Sequence, residues 1–226
     1  MDWSPLLISM KTAIVATIIT FFLGTYAAQK VKKASGKLVW ILDGLFTLPL
    51  VLPPTVAGFF LLVLFGKNGP IGQLLLAVGI RIVFTWSATV IAAVVIAFPL
   101  MYRSAKAAFE QTDQNLIFAG RTLGMSELKI FWKISMPLAL PGIMAGGILA
   151  FARALGEFGA TLMIAGNIPK VTQTIPVAIY MAVQGNNMEK AAIWVIIIVI
   201  ISFAVIFIMN YISNRRIKYS LKEEGK

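Results

Sequence analysis

Five long apolar stretches dominate the 226-residue sequence. A helix needs about 20 apolar residues to cross the hydrocarbon core of a bilayer, and each stretch reaches that length. Such segments have few alternative folds in lipid, because every backbone polar group there must be paired within the protein. The sequence therefore predicts an all-α membrane protein with five transmembrane helices, over residues 6–28, 38–65, 83–102, 138–165 and 191–211.

The composition supports a membrane protein and excludes several kinds of chemistry. Apolar residues make up 59% of the chain, against about 45 to 50% in soluble domains. The chain has no Cys and no His, which excludes thiol nucleophiles, His-based acid–base catalysis and the usual zinc sites. We expect no catalytic residue, no metal site and no cofactor within the chain. No internal repeat or soluble segment is visible, so residues 1–226 are predicted to form a single transmembrane domain.

The distribution of Lys and Arg predicts the orientation of the helices. The net charge is +11, which in an apolar chain indicates topology rather than nucleic-acid binding, because basic residues accumulate in cytoplasmic loops. Fourteen basic residues follow the first, third and fifth stretches, and four follow the second and fourth. The pattern places the N-terminus outside and the C-terminus in the cytoplasm. The fourteen are Lys30, Lys32, Lys33, Lys37, Arg103, Lys106, Arg121, Lys129, Lys133, Arg215, Arg216, Lys218, Lys222 and Lys226; the four are Lys67, Arg81, Lys170 and Lys190.

One further apolar run, Thr174–Val183, is too short to cross the membrane and contains Pro176. Runs of this length are typically interfacial or re-entrant. We expect a half-buried helix on the outer face, with a re-entrant segment as the alternative.

The longest polar stretch, residues 103–137, lies on the predicted cytoplasmic side. Asp113 is positioned to cap a short helix over Gln114–Leu123, which carries small and aliphatic residues on one side. Gly124 is placed where a left-handed residue ends such a helix. Ser126 is positioned to cap a second short helix.

Two prolines, Pro137 and Pro141, are expected to end that second helix and lead into the fourth stretch. Two amphipathic helices joined at a glycine also suit a loop that lies on anionic lipid. The pattern of the helices alone leaves lipid and a protein partner open.

The spacing within this loop resembles the E-A-A-x3-G-x9-I-x-L-P loop of ABC-importer permeases. Its glycine, isoleucine and proline match Gly124, Ile134 and Pro137. Phe118 stands at its acidic position and Gly120 at its second alanine. In that family the loop is the coupling helix that sits in a groove of the ATPase subunit. The resemblance implies an ATPase-coupling surface at Phe118, Ala119, Gly120, Arg121, Gly124, Ile134 and Pro137.

Two further strings, Phe151–Thr161 (FARALGEFGAT) and Leu48–Gly58 (LPLVLPPTVAG), are similar to the permease subunits of molybdate ABC importers. The resemblance implies a type I importer fold and alternating-access transport of molybdate across a prokaryotic plasma membrane. It also implies two ABC ATPase subunits that bind ATP and Mg, and an extracytoplasmic substrate-binding protein. We expect a homodimer, because one five-span subunit is too small to enclose an oxyanion and gate it on both sides. Permeases for tungstate and for sulfate or thiosulfate carry related strings and stay open as alternatives.

The candidate translocation pathway rests on charges and prolines inside predicted spans: Arg153, Glu157, Pro53 and Pro54. An ionised side chain at the bilayer centre costs about 2.5 to 3.5 kcal/mol on insertion scales, so it must face protein or water. Arg153 and Glu157 have the i, i+4 spacing of a mutual ion pair. The alternative is that Arg153 attracts an anion and Glu157 forms part of a gate. The prolines remove backbone donors, which indicates either a passive kink or a cavity wall.

Two other classes of function are weaker alternatives. An ion-driven secondary transporter should show an inverted repeat, and none is visible. An intramembrane enzyme would have to be built from Glu157, Asp43 and Arg153 without Cys or His. The chain also lacks a nucleotide-binding P-loop motif, so an ATP-driven process requires a separate subunit.

Overall fold

The computed structural model describes residues 2–33 and 36–224, so that Lys226 of the charge pattern lies outside the described residues. In this part of the chain the regular structure is helical throughout. The helices are α1 (Ser4–Lys33), α2 (Lys37–Val51), α3 (Pro54–Phe65), α4 (Pro70–Ala77), α5 (Trp86–Glu110), α6 (Gln114–Thr122), α7 (Glu127–Ile130), a π-helical turn (Phe131–Ser135), α8 (Met136–Leu155), α9 (Gly159–Ala165), α10 (Ile175–Gln184) and α11 (Met188–Glu224).

Four helical stretches of the described chain are long and apolar enough to cross a membrane. They are Ser4–Lys32, Trp86–Glu110, Glu127–Leu155 and Met188–Ile208, and they contain most of the predicted first, third, fourth and fifth spans. The predicted second span is a bent pair, α2 and α3, whose axes differ by 112°. Counted as one broken span, this pair brings the number to five.

Consecutive prolines account for the bend between α2 and α3. α2 ends with the Leu52 N–H donating to the Leu48 carbonyl at 3.1 Å, and α3 begins with Pro54 as its first residue. Pro53 and Pro54 have no N–H to continue the hydrogen-bond ladder, and a proline disfavours helical geometry in the residue before it. Pro49, in contrast, lies inside α2, so a single proline is tolerated where two adjacent ones break the span.

The core is formed by α1, α5 and α8, which pack closely through small residues. A β-carbon placed on Gly146 would lie 2.6 Å from Ser104 Cβ, and one placed on Gly142 would lie 2.7 Å from Ala108 Cβ. Small residues at four-residue spacing let membrane helices approach until their backbones nearly touch. The glycines of α8 thus bring the fourth span against α5.

The prediction that Pro137 and Pro141 end the second loop helix is wrong. α7 runs through the π-helical turn into α8, so that residues 127–155 form one helical stretch. The Met136 N–H donates to the Phe131 carbonyl, five residues back. This wider turn accommodates Pro137, which lacks an N–H and would clash with the carbonyl four residues earlier in an ordinary α-helix.

The short apolar run forms α10, as expected of a segment too short to cross. Pro176 is in its first turn, where the missing N–H costs nothing. The Ile175 N–H donates to Ser9 Oγ at 2.8 Å, so α1 caps α10. This bond fixes α10 beside the beginning of the first span.

Candidate functional site

The polar loop folds as two capped helices, α6 and α7, joined by a tight turn. Asp113 accepts a hydrogen bond from the Asn115 N–H at 2.8 Å, and Ser126 accepts one from the Lys129 N–H at 3.4 Å. Gly124 has a φ of +72°. These caps follow from local chemistry and confirm the predicted helix starts and turn.

The turn at Gly124 is a Schellman motif. The Met125 N–H donates to the Gly120 carbonyl at 3.0 Å, and the Gly124 N–H donates to the Arg121 carbonyl at 2.9 Å. Both bonds satisfy carbonyls that the end of α6 would otherwise leave unpaired. They require a left-handed residue at 124, a conformation that glycine adopts without steric cost.

Two positions of the loop motif, Gly120 and Ile134, meet in the structure. A β-carbon on Gly120 would lie 3.0 Å from Ile134 Cδ1 and 3.2 Å from Ile130 Cγ1. Gly120 is buried, and Ile134 reaches it from the π-helical turn. The glycine at this position therefore makes room for two isoleucines that hold α6 on the base of the fourth span.

An ion pair links the two loop helices across the turn. Arg121 Nε is 2.7 Å from Glu127 Oε1, and Arg121 Nη2 is 3.2 Å from Glu127 Oε2. The hydrogen bonds to Glu127 raise the pKa of the Arg121 guanidinium. Both side chains are exposed, so solvent screens the pair and it contributes little to stability. Arg121 was predicted to lie on the coupling loop, but this partner could not be predicted from the sequence, because a separation of six residues is not a helical spacing.

The side of the loop that faces away from the protein core exposes large apolar side chains. Leu123 is 80% exposed and Phe118 is 55% exposed. Ala119 and Pro137 are exposed as well. An apolar groove of about 390 Å³ runs along this side, lined in part by Leu116, Lys133 and Leu138. Clustered apolar exposure in an otherwise polar loop is typical of a protein-binding surface. We call this groove with Phe118 the coupling surface, after the role that the sequence resemblance implies for this loop.

A second site lies where two helix breaks meet. The first break, at Pro53, separates α2 from α3, and the second, at residues 156–158, separates α8 from α9. A β-carbon on Gly159 would lie 3.2 Å from Pro54 Cβ, and one on Gly58 would lie 2.7 Å from Ala160 Cα. The breaks of the second and fourth spans are thus in direct contact.

Arg153 and Glu157 lie at this junction and pair with each other. Arg153 Nη1 is 2.8 Å from Glu157 Oε2. Glu157 Oε1 accepts a hydrogen bond from the Ala160 N–H at 2.8 Å, which places a carboxylate at the beginning of α9. The Glu157 side chain is 1% exposed, whereas that of Arg153 is 29% exposed. Glu157 is therefore fixed inside the protein, while part of the Arg153 side chain stays accessible.

The structure brings all four predicted pathway residues to one place. Pro53 is exposed and Pro54 half-buried at the first break, which contacts the second break beside Arg153 and Glu157. Asp43 is elsewhere, bonded to Tyr102 and Lys106 of α5. In the described part of the chain no three Asp or Glu side chains converge where they could hold a metal ion.

Residues 20–219 match the family described as "Binding-protein-dependent transport system inner membrane component". The sequence is 49% identical over 209 residues to the putative molybdenum transport system permease protein YvgM of Bacillus subtilis (strain 168), covering 92% of both chains. It is 40% identical over 226 residues to the molybdenum transport system permease protein ModB of Escherichia coli (strain K12), covering 100% of this chain and 97% of that protein.

Two solved structures share the fold. One is an inward-facing MetNI methionine ABC transporter, with a TM-score of 0.68 and 17% identity, covering 92% of this chain and 94% of that one. The other is a bacterial ABC transporter that imports the acidic polysaccharide alginate, with a TM-score of 0.70 and 14% identity, covering 95% and 80%. At these identities the likeness concerns the fold alone.

Proposed function

The chain belongs to the family of binding-protein-dependent transport system inner membrane components, and from this we propose that it is the permease of an ATP-driven molybdate importer. It is a multi-pass membrane transport subunit with the all-α fold of type I ABC importer permeases. The observation that supports molybdate as the substrate is the similarity, over 92% or more of the chain, to relatives named as molybdenum transport permeases.

The coupling surface is proposed to bind the ATPase. The sequence has no nucleotide-binding P-loop, so ATP and Mg are bound by a partner subunit. The loop is fastened to α5 on one side and is continuous with α8 on the other. A displacement of the coupling surface therefore moves α5 and α8 together. Coupled movement of two spans is what a transporter needs to switch between two packed arrangements.

We place the coupling surface in the cytoplasm, with the N-terminus outside, because basic residues cluster in the loops on that side. Two copies of the chain are proposed to enclose the pathway. Pro53 and Thr55 at the first break are exposed on this subunit, and irregular backbone at membrane depth is tolerated only where protein or a water-filled cavity covers it. A second permease copy supplies that cover, two ATPases bind the two loops, and a binding protein delivers substrate outside.

In this mechanism the junction of the two helix breaks acts as the gate. ATP binding draws the ATPases together and displaces both coupling surfaces, and the movement passes along α8 to the second break. The accessible part of Arg153 attracts the oxyanion, while the Glu157 carboxylate holds the guanidinium in position. Hydrolysis resets the inward-facing state, and the permease itself performs no covalent chemistry.

Reconstitution into proteoliposomes tests this proposal. The chain alone should give no uptake; with its ATPase and binding protein it should take up molybdate only when ATP is present. Competition with tungstate, sulfate and thiosulfate identifies the preferred oxyanion, and preference for sulfate would overturn the molybdate assignment. Uptake by the isolated chain driven by a proton or sodium gradient would instead select a secondary transporter.

A further inference from the structure

α2, the inner arm of the broken span, is attached to the protein along one narrow face. None of its residues is buried. Its inward-facing residues recur at helical spacing, and three of them, Val39, Leu42 and Phe46, are apolar and pack against the core. Asp43 lies among them and is the only acidic residue of the helix.

The face of α5 that receives α2 is built from residues four apart. Phe46 packs edge-on against Phe98 and Tyr102, with ring centroids 5.4 and 5.2 Å apart. One turn earlier on α2, the Asp43 carboxylate accepts hydrogen bonds from the Tyr102 hydroxyl and from Lys106 Nζ. We call the contact of Asp43 with Tyr102 and Lys106 the α2 latch.

Positive and negative side chains surround the α2 latch in nearly equal number. Lys106 Nζ is also 3.9 Å from Glu110 Oε1, and Arg103 lines the polar cavity beside the latch. The side chains of Asp43 and Lys106 are 32% and 20% exposed. This pair is therefore less solvated than an ordinary surface ion pair, and losing one partner leaves the other partly desolvated.

A polar contact contributes more to the orientation of α2 in a membrane than it would in a soluble protein. The rest of α2 is apolar and largely exposed, with Trp40 at 82% and Val51 at 81%. Lipid tails are as apolar as these side chains, so the hydrophobic effect does not hold the helix at a particular rotation or tilt. The α2 latch and the Phe46 rings supply that orientation.

The orientation of α2 determines where the first helix break lies. α2 ends at Val51, two residues before Pro53. Val51 lies eight residues after Asp43, about 12 Å along the helix at about 1.5 Å per residue, so a tilt of about 10° would move the break by about 2 Å. The break contacts α9 through Pro54 and Gly159, where such a displacement would open the contact.

We propose that Asp43 is a positioning residue for transport: through Tyr102 and Lys106 it fixes α2 on α5 and so holds the Pro53–Pro54 break against α9. The inference rests on the proposed function, in which the break forms part of the pathway. It assigns Asp43 no contact with the transported anion.

The first test compares coupling in variants of the assembled transporter in proteoliposomes. Asp43→Asn should raise the ATP hydrolysed per anion imported roughly 5- to 30-fold, the factor that loss of one modest interaction produces in an equilibrium. Lys37→Gln, at the exposed start of the same helix, should leave the ratio unchanged. The charge exchange Asp43→Lys with Lys106→Asp should restore coupling, because it rebuilds the ion pair in the opposite sense. It is made in a Glu110→Gln background, so that the new carboxylate at position 106 does not face Glu110.

A second readout does not depend on which anion is transported. The chain has no native Cys, so Thr55→Cys places a single thiol in each permease chain at the break, beneath the second permease copy that is proposed to cover it. A thiol reagent should label this position faster in the Asp43→Asn background of the assembled transporter, and at the original rate after charge exchange. If wild-type transporter fails to import molybdate, the proposed function is wrong, yet the labelling rates still test the position of the break.

Two results would overturn the role of Asp43. The first is unchanged coupling and unchanged labelling in Asp43→Asn. The second is a charge-exchanged variant that is as defective as the single variants. Should Asp43→Asn not assemble, the charge-exchanged variant decides by itself, since recovery supports the latch and loss contradicts it.

Discussion

Gly124 offers the sharpest test of how the loop works, because its effect should come from backbone conformation alone. The residue has a φ of +72°, and a β-carbon there would meet nothing within 4 Å. Replacement by Val therefore causes no clash with neighbouring side chains. It does force a β-branched residue into the left-handed region, at a cost of about 1 to 3 kcal/mol.

That cost lowers the population of the ordered turn by roughly 5-fold or more. The hydrogen bonds at the end of α6 are lost when the turn opens, and the coupling surface is no longer held at a fixed angle to α8. We expect the Gly124→Val transporter to insert and to hydrolyse ATP, but to import several-fold less molybdate per ATP than wild type.

A graded series separates strain from loss of space. Asn tolerates the left-handed conformation better than Ala, and Ala better than Val, so coupling measured in proteoliposomes should decrease in that order. Wild-type coupling in Gly124→Val would refute the reasoning. So would Gly124→Asn as defective as Gly124→Val, since that result would point to size rather than conformation.

Two further predictions concern the junction of the helix breaks. Gly58→Val should lower the melting temperature of the detergent-solubilised protein, because its β-carbon would lie 2.7 Å from Ala160 Cα. Such overpacking costs about 1 to 3 kcal/mol of stability. Gly44→Ala, with open space around its β-carbon, is the control and should be neutral or stabilising. Glu157→Gln should lower the free energy of unfolding by about 3 kcal/mol, because it leaves the Arg153 charge without its partner, and it should reduce uptake. The double variant with Arg153→Gln should regain stability but not uptake. Full uptake in the double variant would contradict a role for Arg153 in the pathway.

The features that could be predicted from the sequence are those set by local chemistry. Apolar length identified the spans, and the caps at Asp113 and Ser126 and the turn at Gly124 depend only on residues a few positions away. The four-residue spacing of Arg153 and Glu157 predicted an ion pair, and the structure contains it, although Glu157 lies just past the end of α8.

The features that could not be predicted depend on how distant segments meet. Pro137 was predicted to end a helix, yet one widened turn lets the helix continue. Asp43 finds its partners about sixty residues along the chain, on α5. The contact between Gly58 and Ala160 joins two different spans. Neither helical spacing nor hydrophobicity carries information about such pairs.

The proposed function requires that the coupling surface lies in the cytoplasm and binds a separate ATPase. Phe118 is its exposed aromatic residue, and the absence of native Cys makes a single thiol at this position readily assignable. Phe118→Cys carrying a photoreactive thiol reagent should cross-link to the ATPase subunit in the assembled transporter, and a membrane-impermeant reagent should fail to label it in intact cells. Labelling from outside the cell, or no cross-link to the ATPase in an active transporter, would contradict the claim.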